Sequence, residues 1–443
     1  MLLMEKCLVH EQIKLNNNFL LNQSDSLYIY RTTILKYCLK PNFIQGVTMK
    51  FAHIADSHLG GWRQPELQEL NTQSFKKAVE ICLEEKIEFI LFTGDLFDSP
   101  FPPIEILKEA FSEFRKLKEA GIKCYVIAGS HDYSVSGKTF LDVLEKAGFC
   151  EICKYEESPN GDIILKPSFN QACYIYGYPG KKSGLEIQDL KKIKINEPYI
   201  NHFRILMLHT TITEAAGTLP IESIPLKDLP KADYYALGHI HIDFEKELEG
   251  RPAVYGGPTF PNNFKELEEL KYGRFYVIDV GGFTKVNLRK IILKETELVE
   301  IELDDALKGT QKILSVLEKR DLKDKIVLLK IFGDLKQGKI SDIRFQEIED
   351  YLKRIGVYSF LKNTSGLDIE KQEFQINFQS HEREKIEDIL VKKYKTENPS
   401  NFNELIFPLI ETLSIEKQED EKEASFNGRL FSELGKILEL DLK

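Results

Sequence analysis

Five short segments present aspartate or histidine directly after a run of apolar residues: Asp56-Ser57-His58, Gly94-Asp95-Leu96-Phe97-Asp98, Gly129-Ser130-His131-Asp132, Leu208-His209-Thr210 and Gly238-His239-Ile240-His241. Such apolar runs read as buried strands, and the carboxyl edge of an α/β sheet is where these folds place their sites. Asp56 and His58 are two residues apart, as are His239 and His241. In extended chain that spacing turns both side chains to one side. Ser130 and His131 are adjacent, so they face different directions and can serve different roles. Carboxylates with imidazoles suit Mn²⁺, Fe²⁺ or Zn²⁺, and the absence of nearby Cys disfavours a structural zinc site. The candidates are too many for one ion. Two ions roughly 3.5–4 Å apart on a shared carboxylate form the arrangement that hydrolyses phosphate esters. Any one segment could be ordinary turn chemistry, which favours Asp. Five at strand ends argue for a site.

The elements that must hold these residues follow from the apolar pattern. Lys50–Ala55, Phe89–Phe92, Cys124–Ala128, Tyr174–Tyr176, Ile205–Leu208 and Tyr234–Leu237 are short, apolar and strand-like. Between the second and third, Leu107, Phe111, Phe114 and Leu117 recur at helical spacing after Pro102-Pro103. Alternation of this kind predicts an α/β layered domain. Pro252–Tyr255, Arg274–Val280 and Lys285–Leu293 read as antiparallel strands. From residue 294 to 380 the pattern predicts a small α+β module, with helices at Ala306–Arg320 and Ile343–Ile355 and strands at Lys325–Ile331 and Val357–Leu361. Residues 381–443 are charged and helical, interrupted by Pro399 and Pro408. Residues 1–48 show no sustained period and read as an extension, with Met49 a candidate native start.

The order D-x-H, G-D-x-x-D, G-N-H-D (here with Ser130 at the Asn position), H and G-H-x-H resembles the signature of the calcineurin-like metallophosphoesterases. The stretches His53–Gly61, Phe92–Ser99, Ile127–Ser134, Tyr234–His241 and Val254–Phe260 look like the DNA-repair nuclease branch of that family, the SbcD and meiotic recombination eleven proteins. The resemblance is strong over residues 49–290 and extends to the rest by layout. It implies a four-layer α/β/β/α sandwich over 49–293, a capping domain over 294–380 and C-terminal helices over 381–443. It implies two Mn²⁺ per subunit. Asp56, His58, Asp95 and His241 would hold one ion, while Asp95, His209, His239 and Ser130 would hold the other, with Asp95 bridging. His131 would not be a ligand but would protonate the leaving oxygen or stabilise the transition state. Ser130 departs from the family pattern, because a hydroxyl is a shorter and weaker donor than an amide oxygen. A weaker second metal site is expected. Asp98 reads either as a partner that orients a ligand His or, more simply, as a helix cap before Pro100.

The resemblance also implies partners and activity: DNA as substrate, 3′→5′ exonuclease action on duplex ends, endonuclease action on single strands, a homodimer, and an SbcC-type coiled-coil ATPase gripped by the C-terminal helices. Phe402, Leu405, Ile406, Leu409, Ile410 and Leu413, then Leu430, Leu434, Ile437 and Leu438, form the apolar stripes that would dock; packing of the two helices on one another is the simpler account. Two other readings compete: a phosphatase of the same superfamily, and a scaffold that binds DNA ends without cutting them. Protein phosphatases carry an Arg soon after G-D-x-x-D, and here Ser99-Pro100 follows.

Several features are decoys. Ser136-Gly137-Lys138-Thr139 lacks the earlier Gly of a phosphate-binding loop, since Asp132 stands there. Cys150-x-x-Cys153 has no second pair, and His10, His53, His202 and His381 fall outside the motifs. The Lys181-Lys182 and Lys191-Lys192-Lys194 runs read as solvated faces as readily as phosphate contacts. No run approaches the ~18 apolar residues of a membrane span, and the N-terminus lacks a secretory signal. Seven Cys scattered along the chain suit reduced thiols and a cytoplasmic location, nucleoid-associated in a prokaryote. Seventy acids against sixty bases leave a net charge of −10, so any nucleic-acid binding needs a local basic patch or bound metal.

Overall fold

The computed structural model describes residues 48–369, apart from 134–138, 171–172, 197–201 and 218–220, and parts of 391–438. Residues 1–47, His10, His381, Phe402 and the segment Ser136–Lys138 lie outside the described residues. The chain divides between residues 370 and 371 into two compact units.

In the first unit β1 (Met49–Ile54), α1 (Pro65–Glu84), β2 (Phe89–Thr93), α2 (Ile104–Glu119), β3 (Lys123–Ile127), α3 (Phe140–Lys146) and β4 (Glu151–Ile152) alternate. Then follow β5 (Ser168–Asn170), β6 (Cys173–Tyr178), α4 (Glu186–Leu190), β7 (Phe203–His209), β8 (Tyr234–Gly238), β9 (Glu245–Leu248), β10 (Arg251–Tyr255), α5 (Phe264–Leu270), β11 (Gly273–Val280) and β12 (Thr284–Ile291). Two six-stranded sheets result, in the orders β12-β11-β1-β2-β3-β4 and β9-β10-β8-β7-β6-β5. β1 through β4 run parallel, as do β6, β7, β8 and β10. β11 and β12 pair antiparallel, as expected. β10 differs from that expectation: only its β9 edge is antiparallel, and its other edge runs parallel to β8.

Alternation along each strand divides the layers. Ala52 and Ile54 of β1 face a core shared with Phe75, Val79, Phe114 and Leu117 of α1 and α2, while Phe51 faces the opposite sheet. Between the sheets, Phe51, Phe89 and Tyr125 meet Ile175, Ile205, Met207 and Tyr234. The outer face of the second sheet is covered by Ile187 and Leu190 of α4 together with Ile163, Leu165, Ile212 and Ile224. The fourth layer is thus thinner than the first, built from short helices and a three-stranded patch around Ile163–Leu165. Burying an aromatic such as Phe114 contributes about 1.5–3 kcal/mol.

Residues 296–369 add β13 (Thr296–Glu302), α6 (Gly309–Leu317), β14 (Ile326–Leu335), α7 (Phe345–Arg354) and β15 (Ser359–Ile369). All three strands are parallel, so strands and helices alternate here instead of segregating as in an α+β module. One face of this small sheet packs under α6 and α7 through Val327, Leu329 and Ile348. The other buries Ile326 and Leu328 against Trp62, Leu67 and Leu70 of the α1 region and Leu267 of α5.

The second unit contains α8 (Ile406–Leu413) and α9 (Glu423–Leu438), which pack on one another. Pro408 sits in the first turn of α8, where its missing N–H costs nothing. Ile410, Leu413 and Phe431 remain exposed. Among the described residues no helix is long and apolar enough to cross a membrane.

Candidate metal centre

Every expected site residue lies at the carboxyl end of a parallel strand: Asp56 and His58 after β1, Asp95 after β2, Ser130 and His131 after β3, His209 at the end of β7, His239 and His241 after β8. The two sheets face one another there. To reach it the chain turns sharply. Asp56 (φ 52°), His58 (φ 42°), Asp95 (φ 50°) and His239 (φ 102°) all adopt positive φ. Such conformations cost roughly 1–3 kcal/mol each and persist only where the surroundings over-determine them. The surroundings here are specific hydrogen bonds. Asp56 N–H donates to Gly94 O at 3.1 Å, His58 N–H to Asp95 O at 2.9 Å and His239 N–H to Asp56 Oδ1 at 2.9 Å. Gly94 itself has φ 92°, and a Cβ on it would land on the His209 ring.

Two groups, Asp56–His58–His241 and Asp95–His209–His239, and a third that shares His58, His58–Asp98–His131, each have their ligand-type atoms within 4.8 Å of one another. Asp95 Oδ2 connects the first two, 3.6 Å from His58 Nε2 and 3.2 Å from His209 Nε2. Ser130 Oγ is 3.5 Å from the same Asp95 oxygen. His131 donates its backbone N–H to Asp95 Oδ1 at 2.8 Å, while its half-exposed ring stands edge-on to His58 with centroids 4.7 Å apart. The structure therefore brings all eight expected residues together.

The protonation pattern shows what the pocket wants. His209 Nδ1 faces the Thr93 carbonyl at 2.9 Å, and a carbonyl only accepts, so Nδ1 carries the proton. Nε2 then faces Asp95 Oδ2 at 3.2 Å, and it is buried without a well-formed hydrogen bond, as is Asp56 Oδ2. Burial works against charge on His209, yet the Asp95 carboxylate carries the ring up to about 10. Burial likewise opposes ionisation of Asp95, but His209 and His58 hold it well below the usual carboxylate range. Burial and the neighbouring His209 hold His239 down at about 4, and burial pushes the Asp56 carboxyl up. A buried carboxylate that draws a proton onto the imidazole facing it, beside the unpartnered Asp56 Oδ2, calls for positive charge, and this hard oxygen and imidazole set fits a divalent cation.

Three supporting carboxylates carried no firm role in the sequence. Asp98 is not a helix cap, because α2 begins at Ile104 behind Pro103. Its Oδ1 instead lies 3.2 Å from His58 Nδ1, and its carbonyl accepts from His131 Nδ1 at 2.9 Å. Asp132 is buried and accepts three backbone N–H groups, from Leu96 at 3.2 Å, Phe97 at 3.0 Å and Gly129 at 3.0 Å. Glu266 approaches His241, and nothing in the five motifs points to it. The features read as incidental stay so. His53 is buried between Tyr234 Oη (2.9 Å) and Thr93 Oγ1 (3.0 Å), tying the two sheets together, and burial holds it down at about 3. Cys150 faces the helical layer, whereas Cys153 faces the opposite sheet with Sγ 3.9 Å from Met207 Sδ. Lys181 and Lys194 pair with Asp189 and Asp162.

Residues 49–243 match the family model described as calcineurin-like phosphoesterase. The chain is 30% identical over 300 residues to the DNA double-strand break repair protein Mre11 of Methanocaldococcus jannaschii, covering 65% of this chain and 77% of that one. It is 26% identical over 342 residues to the Archaeoglobus fulgidus protein of that name, covering 70% and 76% of the two chains. With the Sulfolobus acidocaldarius protein the identity is 24% over 323 residues, covering 70% and 82%. The matched region holds all three residue groups. This chain belongs to the Mre11 family of calcineurin-like phosphoesterases and is a metal-dependent enzyme.

Proposed function

We propose that the chain is a Mn²⁺-dependent DNA nuclease of double-strand-break repair that cleaves phosphodiesters with two ions per subunit. The observation that carries this reading is the position of Asp95 Oδ2 between His58 Nε2 and His209 Nε2, at 3.6 and 3.2 Å. Asp56, His58, Asp95 and His241 hold one ion. Asp95, His209, His239 and Ser130 hold the other. When bound, the pair supplies Lewis acidity and a water activated near neutral pH. His131 stands outside both sets. Its Nδ1–H is committed to the Asp98 carbonyl, so in the imidazolium form the half-exposed ring gives the Nε2 proton to the departing sugar oxygen and is left as the neutral Nδ1–H imidazole.

The activity is 3′→5′ on duplex ends and endonucleolytic on single strands. Residues 294–380 act as a capping domain beside the site. The C-terminal helices present the exposed Ile410, Leu413 and Phe431 to the coiled coil of an SbcC-type ATPase. The enzyme works as a homodimer in the cytoplasm, at the nucleoid in a prokaryote.

Hydrolysis of a linear duplex and of a circular single strand in Mn²⁺ tests the reading, with the parent chain beside His131→Ala and Asp95→Asn. His131→Ala lowers turnover by about 10²–10⁴-fold with metal still bound. Asp95→Asn abolishes both activity and tight metal binding. A parent chain that binds DNA ends but cuts no more than His131→Ala refutes the nuclease and favours the scaffold.

A further inference from the structure

One carboxylate reaches the centre from an element that none of the five motifs contains. Glu266 lies in the first turn of α5, and its Oε1 is 3.0 Å from His241 Nδ1. The carboxylate is itself held in place. Oε2 accepts the Asn262 backbone N–H at 2.8 Å, and Oε1 accepts from Asn263 Nδ2 at 2.6 Å. Asn263 Oδ1 in turn accepts the Glu266 N–H at 3.0 Å and caps the helix. A carboxylate so placed accepts from His241 Nδ1–H, which leaves Nε2 as the lone-pair nitrogen. Nε2 points inward, 3.3 Å from His58 Nε2 and 3.9 Å from Asp56 Oδ1.

The same helix turn is anchored on its other side. Leu267 is buried with Ile326 and Leu328 of the small sheet, and Glu268 pairs with Lys330 Nζ at 2.6 Å. Glu266 therefore has a fixed backbone, a capped first turn and two donors on its carboxylate.

We propose that Glu266 is a positioning residue for His241: it sets the Nδ1–H tautomer and aims Nε2 at the Asp56–His58 ion. Without it the imidazole is free to rotate and to exchange tautomers, and each alternative withdraws the ligand atom. Outer partners of this kind are worth about 10–100-fold in metal affinity. The role presupposes that His241 ligates metal, so His241→Ala is included as the control for that premise.

The test uses the full chain. Free Mn²⁺ is followed by electron paramagnetic resonance during titration, and the imidazole tautomer of the metal-free protein is read by ¹⁵N NMR. Glu266→Ala weakens one of the binding steps by about 10–100-fold and moves His241 toward the Nε2–H tautomer, while Glu266→Gln, whose amide oxygen still accepts from Nδ1–H, recovers most of both. Unchanged affinity and tautomer in Glu266→Ala, with one step lost in His241→Ala, overturn the positioning role alone. Unchanged binding in His241→Ala removes the premise instead. Equal losses in Glu266→Ala and Glu266→Gln, with the His241 tautomer unmoved, also overturn the role.

Discussion

Asp98 Oδ1 lies 3.2 Å from His58 Nδ1 and 3.6 Å from His131 Nδ1, so one carboxylate addresses both a metal-side imidazole and the imidazole proposed as proton donor. Asp98→Ala removes the side-chain partner of His58 Nδ1 and the carboxylate charge beside His131, whose Nδ1–H keeps the Asp98 main-chain carbonyl. Turnover falls by about 10–100-fold, with weaker metal binding than in His131→Ala, whose ion-binding residues are intact. Steady-state phosphodiester hydrolysis alongside a Mn²⁺ titration checks this. A variant that loses turnover but keeps the parent's metal affinity confines Asp98 to His131.

Ser130 offers a hydroxyl where the family pattern has an amide. Its Oγ is 3.5 Å from Asp95 Oδ2, a long contact. Ser130→Asn makes activity saturate at a lower Mn²⁺ concentration. Saturation at the same concentration in both proteins rejects Ser130 as the weak point of the second site.

One contribution to acid stability lies far from the centre. Arg289 hydrogen-bonds Glu85 through two nitrogens, and this contact, with Lys50 also paired to it, lowers the Glu85 carboxyl to about 2. A carboxylate depressed in the folded state stabilises fully above its unfolded pKa of about 4.3, and that contribution fades as pH falls toward about 2. Arg289→Ala therefore costs about 1–2 kcal/mol at pH 7 and progressively less below pH 4. Urea denaturation at both pH values measures it; an equal loss at pH 7 and pH 2.5 contradicts the assignment.

Tyr234 Oη meets His53 Nδ1 at 2.9 Å between the sheets. Tyr234→Phe leaves a buried ring nitrogen without its partner and costs about 1–3 kcal/mol. Mn²⁺ affinity stays at the parent value, because neither residue enters the metal groups. Loss of metal binding at unchanged stability contradicts a purely structural His53.

DNA affinity follows the ions. With a net charge of −10 and several acids in the site, the isolated chain binds DNA weakly in chelator and more tightly in Mn²⁺, with strong salt dependence. Tight binding in chelator, measured by fluorescence anisotropy, refutes this.

The strand-end motifs were legible because turn chemistry, strand period and ligand type coincide within a few residues. Asp56 and His58, or His239 and His241, announce themselves through local spacing alone. Glu266 does not, since its distance from His241 in space depends on how α5 folds back after β10. Asp98 was legible as a residue but not as a role: only the position of α2 shows that it caps nothing. The direction of β10 was hidden for a similar reason. A short apolar run reads the same in either orientation, and its neighbours β8 and β9 decide the pairing. The parallel small sheet likewise follows from crossovers through α6 and α7, whose existence the periodicity predicted but whose course it did not.

Asp132 sits beneath all of this, joining the backbone after β2 to the backbone after β3 through its three N–H contacts. The two loops behave as one casting, set when the sheets form and independent of what later fills the pocket. Such a mould discriminates by tolerance. An ion whose coordination sphere does not match must deform buried main chain in order to bind, so the strain falls on Asp132 and its three N–H contacts and not on the ligand side chains alone.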